Sequence, residues 1–134
     1  MCGAVRYRLT SRPFDAGYCH CRLCRRSSGA PVLAFATVPV EDFIILKGNP
    51  RRRRSSSFGI RWFCAECGTQ LAVQVEHQPD TIDFTIASLD VPEEVPPGFH
   101  IFFGSRIDWF DSADSHPRHA EFRPDTRGLA APKK

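Results

Sequence analysis

The stretch Phe58-Gly59-Ile60-Arg61-Trp62-Phe63-Cys64-Ala65-Glu66-Cys67-Gly68-Thr69-Gln70-Leu71-Ala72-Val73-Gln74-Val75 decides the fold. Its opening residues are rich in aromatics, and its close sets Leu71, Val73 and Val75 at two-residue steps, the period of a half-buried strand. Between them, Cys64-Ala65-Glu66-Cys67-Gly68 is a C-x-x-C-G knuckle that presents two thiols on one tight bend, with a glycine relaxing the backbone behind them. A strand entering such a knuckle and another leaving it predict a β protein organised around metal.

The alternation continues in both directions. Val5, Tyr7 and Leu9 share one face of a first strand, and Val32 to Val38 is an apolar run closed by Pro39. Phe43 to Leu46 stops at the turn Lys47-Gly48-Asn49-Pro50, and Ile82, Phe84 and Ile86 alternate again. His100 to Phe110 reads as a last long β segment with Ile101, Phe103 and Ile107 stepping by two. About seven short strands with Gly/Pro-rich connections make a mainly β, antiparallel fold. One short helical turn is expected around Leu23 to Ser27, and no repeat is visible. Asp90 to Gly98 is an acidic, proline-rich connection. From Asp111 the periodicity fades, and Gly128 to Lys134 is expected to fray. The expected organisation is a zinc-binding domain over residues 1–122 and a flexible tail over 123–134.

A chain of 134 residues fits one domain, small enough to benefit from a metal cross-link. No apolar run approaches the ~18 residues of a membrane span. The start, Met-Cys-Gly-Ala-Val-Arg-Tyr, has no apolar signal region, so a cytoplasmic, reducing setting is expected. The formal charge of +3 is no nucleic-acid signature by itself. Much of it sits in Arg51-Arg52-Arg53-Arg54, with Arg61 further on; a solvated loop and an anion site are both compatible with that run.

Six cysteines carry the chemistry: Cys2, the cluster Cys19-His20-Cys21-Arg22-Leu23-Cys24, and the knuckle pair Cys64 and Cys67. Disulfides lack the secretory context they need, and Cys19 and Cys21 are too close for a relaxed bridge. A thioredoxin-type redox motif needs a βαβ setting, which is missing. Zinc suits the spacing best. Cys19, Cys21 and Cys24 can close on one ion and leave its fourth corner open, the pattern of catalytic zinc. Cys64 and Cys67 need further ligands, with Cys2 joining them across the sheet as a structural site.

The runs Cys2-Gly3-Ala4-Val5-Arg6-Tyr7, Cys19 through Arg25-Arg26-Ser27-Ser28-Gly29-Ala30-Pro31, and Arg61-Trp62-Phe63-Cys64-Ala65-Glu66-Cys67-Gly68-Thr69-Gln70-Leu71 together resemble the glutathione-dependent formaldehyde-activating enzymes. Ser88-Leu89-Asp90, His100-Ile101, Arg106 and Trp109 extend the resemblance to about Phe122. The resemblance implies an Mss4-like β fold with up to two zinc ions. It also implies carbon–sulfur lyase chemistry, the reversible joining of formaldehyde to the glutathione thiol. By position, Cys19, Cys21 and Cys24 match the catalytic ligands, and Cys2, Cys64 and Cys67 match three of four structural ones. The family's first motif is C-x-C-G, so its leading cysteine would fall just before Met1, and the expectation is a start recorded too late.

The expected partners are a glutathione-like thiol and an aldehyde, with no membrane. The rival reading is a non-catalytic, zinc-stabilised module that binds nucleic acid or protein. Basic runs near Arg25 and Arg51 favour it; the modest charge and the lack of aromatics among the arginines weigh against it. Arg25, Arg26 and the 51–54 run are equally readable as carboxylate partners or as solvated charge. His20, between two ligands, is expected to point away from the ion as a surface or supporting residue. His100 is readable as an acid/base or as structural; His116 and His119 look incidental.

Overall fold

The computed structural model describes residues 1–124 and the backbone at 125–126 and 129–130. Its framework is a seven-stranded sheet in the order β5-β6-β7-β8-β3-β2-β9, with β1 and β4 paired as a separate two-stranded sheet. The strands are β1 (Arg6–Leu9), β2 (Phe14–Cys19), β3 (Leu33–Pro39), β4 (Phe43–Lys47), β5 (Arg51–Arg54), β6 (Gly59–Phe63), β7 (Gln70–Val75), β8 (Thr81–Thr85) and β9 (His100–Ile101). All pairings in the two sheets are antiparallel except β2 with β9. Among the described residues a single α-helix, α1 (Arg22–Ser28), follows β2. Among the described residues no helix is long and apolar enough to cross a membrane.

The two faces of the sheet have different jobs. Trp62, Ala72, Phe84 and Ala36 lie opposite one another on successive strands and are all buried on one face. The β1–β4 pair covers that face with Tyr7, Leu9, Phe43 and Ile45. Phe43 meets Trp62 edge-on, with centroids 5.7 Å apart, and stacks on Tyr7 at 4.6 Å. The other face carries Arg61, Val73, Asp83 and Thr37 in a matching row. It is left as the floor of a cleft.

Most of the expected strands are present, but the last is not. Instead of continuing to Phe110, β9 stops after two residues, and a 3-10 turn occupies Phe103–Ser105. Phe102 sits in the left-handed region (φ 54°), which a strand cannot accommodate. On the side away from β2, the backbone of His100 bonds to Pro117 and His119 and forms an isolated parallel bridge to Arg118. Two strands were not expected: β2, and the four-arginine run, which is an exposed strand at the sheet's edge and not a loop. Lysine- and arginine-like charge on an open edge discourages pairing with another chain. The expectation of a frayed end from Gly128 falls outside the described residues, apart from a short pairing of Asp125–Thr126 with Leu129–Ala130.

Candidate metal centre

The site is built where β2 hands over to α1. Cys19 ends β2, Cys21 caps the helix and Cys24 lies one turn inside it. The Cys21 thiol accepts the Cys24 backbone N–H at 3.3 Å, taking the place of the usual Ser or Asp cap. At the other end Gly29 N–H returns to the Arg25 carbonyl at 2.8 Å and closes the helix. This short, doubly anchored turn gathers the three sulfurs to within 4.8 Å of one another.

That spacing fits a metal. Zinc held tetrahedrally at about 2.3 Å spaces its sulfurs by about 3.8 Å, a separation inside that limit. All six cysteines are free thiols. The three also share protons. Cys21 is held well below its ordinary pKa because Cys19 and Cys24 both bond to it. Cys19 is pushed up by its hydrogen bonds to Cys21 and Cys24 and by burial. Cys24 is pulled down by Cys19 but pushed up more strongly by Cys21 and burial, ending at about 11.

Arg61 reaches across from β6 to this cluster, its Nη2 3.6 Å from Cys24 Sγ. Only 9% of Arg61 is exposed, and its Nε and Nη1 are buried without a hydrogen-bond partner. A buried guanidinium without a carboxylate calls for negative charge nearby, and three metal-bound thiolates would supply it.

Behind the cluster lies a second layer. Of the two readings of His20, surface or supporting residue, its burial favours the second: both His20 and His100 are 1% exposed, and Asp114 is the member that no sequence signal marked. His20 Nε2 lies 2.8 Å from His100 Nδ1, and His100 Nε2 lies 3.0 Å from Asp114 Oδ1. The Asp114 carboxyl is held below the usual range, first by its bond from Ser112 and then by His116 N–H and His100. Burial, then His100 and the arginines at 106, 118 and 25, lower His20 to about 4. A carboxylate only accepts, so His100 Nε2 carries a proton; with a neutral His100, its Nδ1 accepts from His20. The chain locks the residue between Cys19 and Cys21 and aims its ring away from the sulfurs. His100 is thus part of the scaffold, and His116 joins it through a ring contact at 6.4 Å. His119 contributes its backbone, pairing with His100 and Phe103.

The cleft opens beside the three thiols and has a volume of about 470 Å³, a size that suits a small-molecule ligand. Its walls are largely apolar, with Leu33, Phe35, Val73 and Phe102 among them; Arg22, Arg61 and Asp83 are its charged groups. Arg25, Arg26 and the arginines of β5 do not line it.

The second cluster forms at the knuckle. Gly68, at φ 78°, allows the bend, and Cys64 N–H and Gly68 N–H bond to Thr69 and Cys64 carbonyls at 2.9 and 2.8 Å. Cys2, Cys64 and Cys67 then lie within 4.8 Å of one another, with Cys2 Sγ 3.7 Å from Cys64 Sγ. Cys67 is lowered to about 6 by hydrogen bonds from the side chain and backbone of Thr69. The chain therefore gathers its cysteines into the two triads read from the sequence, each with a donor set suited to zinc.

Known proteins are similar to this chain in sequence and in fold. A Halomonas elongata protein that carries the name "Putative glutathione-dependent formaldehyde-activating enzyme" is 26% identical over 119 residues, covering 82% of this chain and 76% of that one. A crystal structure of a Rhodobacter sphaeroides protein superposes with a TM-score of 0.55 at 28% identity, covering 66% of this chain and 83% of that one. The family model described as "Glutathione-dependent formaldehyde-activating enzyme" matches residues 1–105, which hold both cysteine triads and most of the cleft. This chain belongs to the glutathione-dependent formaldehyde-activating enzyme family.

Proposed function

We propose that the protein is a carbon–sulfur lyase that reversibly joins formaldehyde to the thiol of glutathione, at a zinc ion held by Cys19, Cys21 and Cys24. A second, structural zinc would be held by Cys2, Cys64 and Cys67. The observation that carries the reading is the convergence of three thiols on one point at the end of a cleft large enough for a small thiol. When bound, zinc would supply the positive charge that keeps an incoming thiol deprotonated at neutral pH.

The reaction needs no oxidant. The thiol sulfur bonds to the aldehyde carbon, the carbonyl π pair moves onto oxygen, and the proton lost by the thiol ends on that oxygen. The reverse step returns aldehyde and thiol. The chain's own contribution is positional and electrostatic. The β2–α1 turn fixes the sulfurs, the His20–His100–Asp114 chain braces that turn, and Arg61 offsets negative charge beside Cys24. Apolar walls exclude water, which strengthens each charge interaction inside.

Metal content and turnover of the wild type and of Cys21→Ser test the proposal. The wild type should hold up to two zinc ions per chain and form the glutathione–formaldehyde adduct. Cys21→Ser should lose one ion and nearly all turnover while keeping its β-rich circular dichroism. Undiminished turnover in Cys21→Ser sinks the proposal. The binding-module reading draws on the exposed β5 arginines, yet Arg52 lies 3.9 Å over Trp62 and Arg54 bonds to Glu76, so part of that charge is engaged within the chain. Salt-sensitive retention on DNA, without adduct formation, would replace the lyase with that module.

A further inference from the structure

We infer that Asp83 is a binding subsite for the ammonium group of an amino-thiol substrate, fixing its far end while its sulfur lies at the three-cysteine cluster. The inference rests on the proposed thiol chemistry and names the class of thiol. Asp83 is the middle residue of β8 and is flanked by Ile82 and Phe84, which are buried in the opposite core. Strand alternation therefore turns the carboxyl into the cleft, which it lines. Arg61 pairs with Val73, and Val73 with Asp83. These three side chains form one row, with cation and anion two strand spacings, about 10 Å, apart. The cation end touches the cysteines; the anion end does not.

Asp83 lacks a counter-ion among the described residues. Thr37 Oγ1 donates to its Oδ1 at 2.6 Å, and among the described residues no Lys, Arg or His makes an ion pair with it. Burial, and the like charge of Asp15, push its pKa up to about 6 despite the Thr37 bond. An ionised carboxylate in such a place is costly until a cation arrives, and the cleft leaves room for one. Glutathione offers one ammonium, two carboxylates and a thiol. The cleft offers one carboxylate in Asp83, the guanidinium of Arg22, and the thiol site, where Arg61 is engaged beside Cys24. Asp83 is the one group there that matches the ammonium.

Glutathione and N-acetylglutathione, which lacks the ammonium, provide the test. Their affinities are read from thiolate absorption in cobalt-substituted protein, and their KM values from adduct formation, for the wild type and Asp83→Asn. Acetylation should weaken binding to the wild type about tenfold or more, the size expected when a desolvated charge pair loses one partner. Asp83→Asn should bind both thiols alike, at the weaker level, and kcat should change far less than KM. Equal binding of both thiols by the wild type overturns the subsite, and that result needs no variant to fold. Asp83→Asn that loses affinity yet still discriminates between the thiols also overturns it, because the residue is then only structural. Discrimination in binding without adduct formation by the wild type keeps the subsite and overturns the lyase. Adduct formation without discrimination does the reverse.

Discussion

Asp83 carries a stability cost along with its proposed role. Its folded pKa of about 6 lies above the ordinary 3.8, so the folded chain binds the proton more tightly than the unfolded one. Below pH 4 both states are protonated and burial costs little. Between pH 4 and 6 the unfolded chain ionises first, and folding stability falls as pH rises. Above pH 6 the full penalty applies. Asp83→Asn, which can keep the Thr37 bond, should therefore stabilise the protein at pH 7 by up to about 3 kcal/mol. The gain should vanish near pH 4. Urea unfolding of both proteins across that range checks this, and a gain independent of pH would show that desolvation of the carboxylate is not its source. Arg61 makes a companion case at the cation end. Arg61→Met should weaken zinc at the Cys19 cluster about tenfold, as loss of a supporting contact typically does, and Arg61→Lys should restore part of it. Competition with a chromophoric chelator measures both; unchanged affinity in Arg61→Met would remove the guanidinium from the centre. Both residues left a trace in the sequence. Asp83 interrupts Ile82 and Phe84 with a charge that can only face the other side, but the reading followed the apolar face alone. Arg61 was seen as part of a basic excess, because nothing local says that its guanidinium will be buried beside a thiol some 37 positions away.

At the scale of elements, β2 shows why some strands are legible and others are not. β3, β4, β7 and β8 announce themselves through apolar runs or alternation, and the helical turn expected after the first cysteine cluster is present as α1. β2 reads Phe-Asp-Ala-Gly-Tyr-Cys, which has no clean period, and a bulge shifts its register between Phe14 and Gly17. Its place is set by distant partners, β3 on one side and the two residues of β9 on the other. The same holds for β5, whose arginines form a strand only because β6 supplies a ladder. His20 and His100 meet across 80 positions for this reason too. Gly17 makes the dependence testable. A Cβ there would fall 2.4 to 2.8 Å from ring carbons of Phe99, which is itself buried. Gly17→Ala should therefore force Phe99 or β2 to move, destabilising the fold by about 1–3 kcal/mol. Cys19 ends that strand, so zinc affinity at its cluster should fall in step. A denaturation midpoint equal to that of the wild type would mean that the ring swings aside freely.

At the scale of the whole molecule, the two cysteine clusters differ most in how much chain they close. Cys19 and Cys24 are five positions apart and lie on one turn, so a metal joining them constrains little that α1 does not already fix. Cys2 and Cys64 are 62 positions apart. An ion joining them would tie the segment leading into β1 to the knuckle between β6 and β7, where the tie is otherwise slight. Nearby, Arg6 pairs with Asp90 and Tyr7 bonds to Ser88 at 2.6 Å, but the first of these pairs is well exposed. The entropy of closing a loop grows with the logarithm of its length, so the longer closure should restrict the unfolded chain by about 2 kcal/mol more than the shorter one. Cys64→Ser should accordingly lower the thermal midpoint clearly more than Cys21→Ser, although each removes one thiol and one ion. Activity should show the opposite order, with Cys21→Ser abolishing turnover and Cys64→Ser retaining part of it at temperatures where the fold survives. Scanning calorimetry and adduct assays on the two variants read both orders at once. If Cys21→Ser proved the less stable of the two, the division into a reactive and a structural cluster would have to be exchanged.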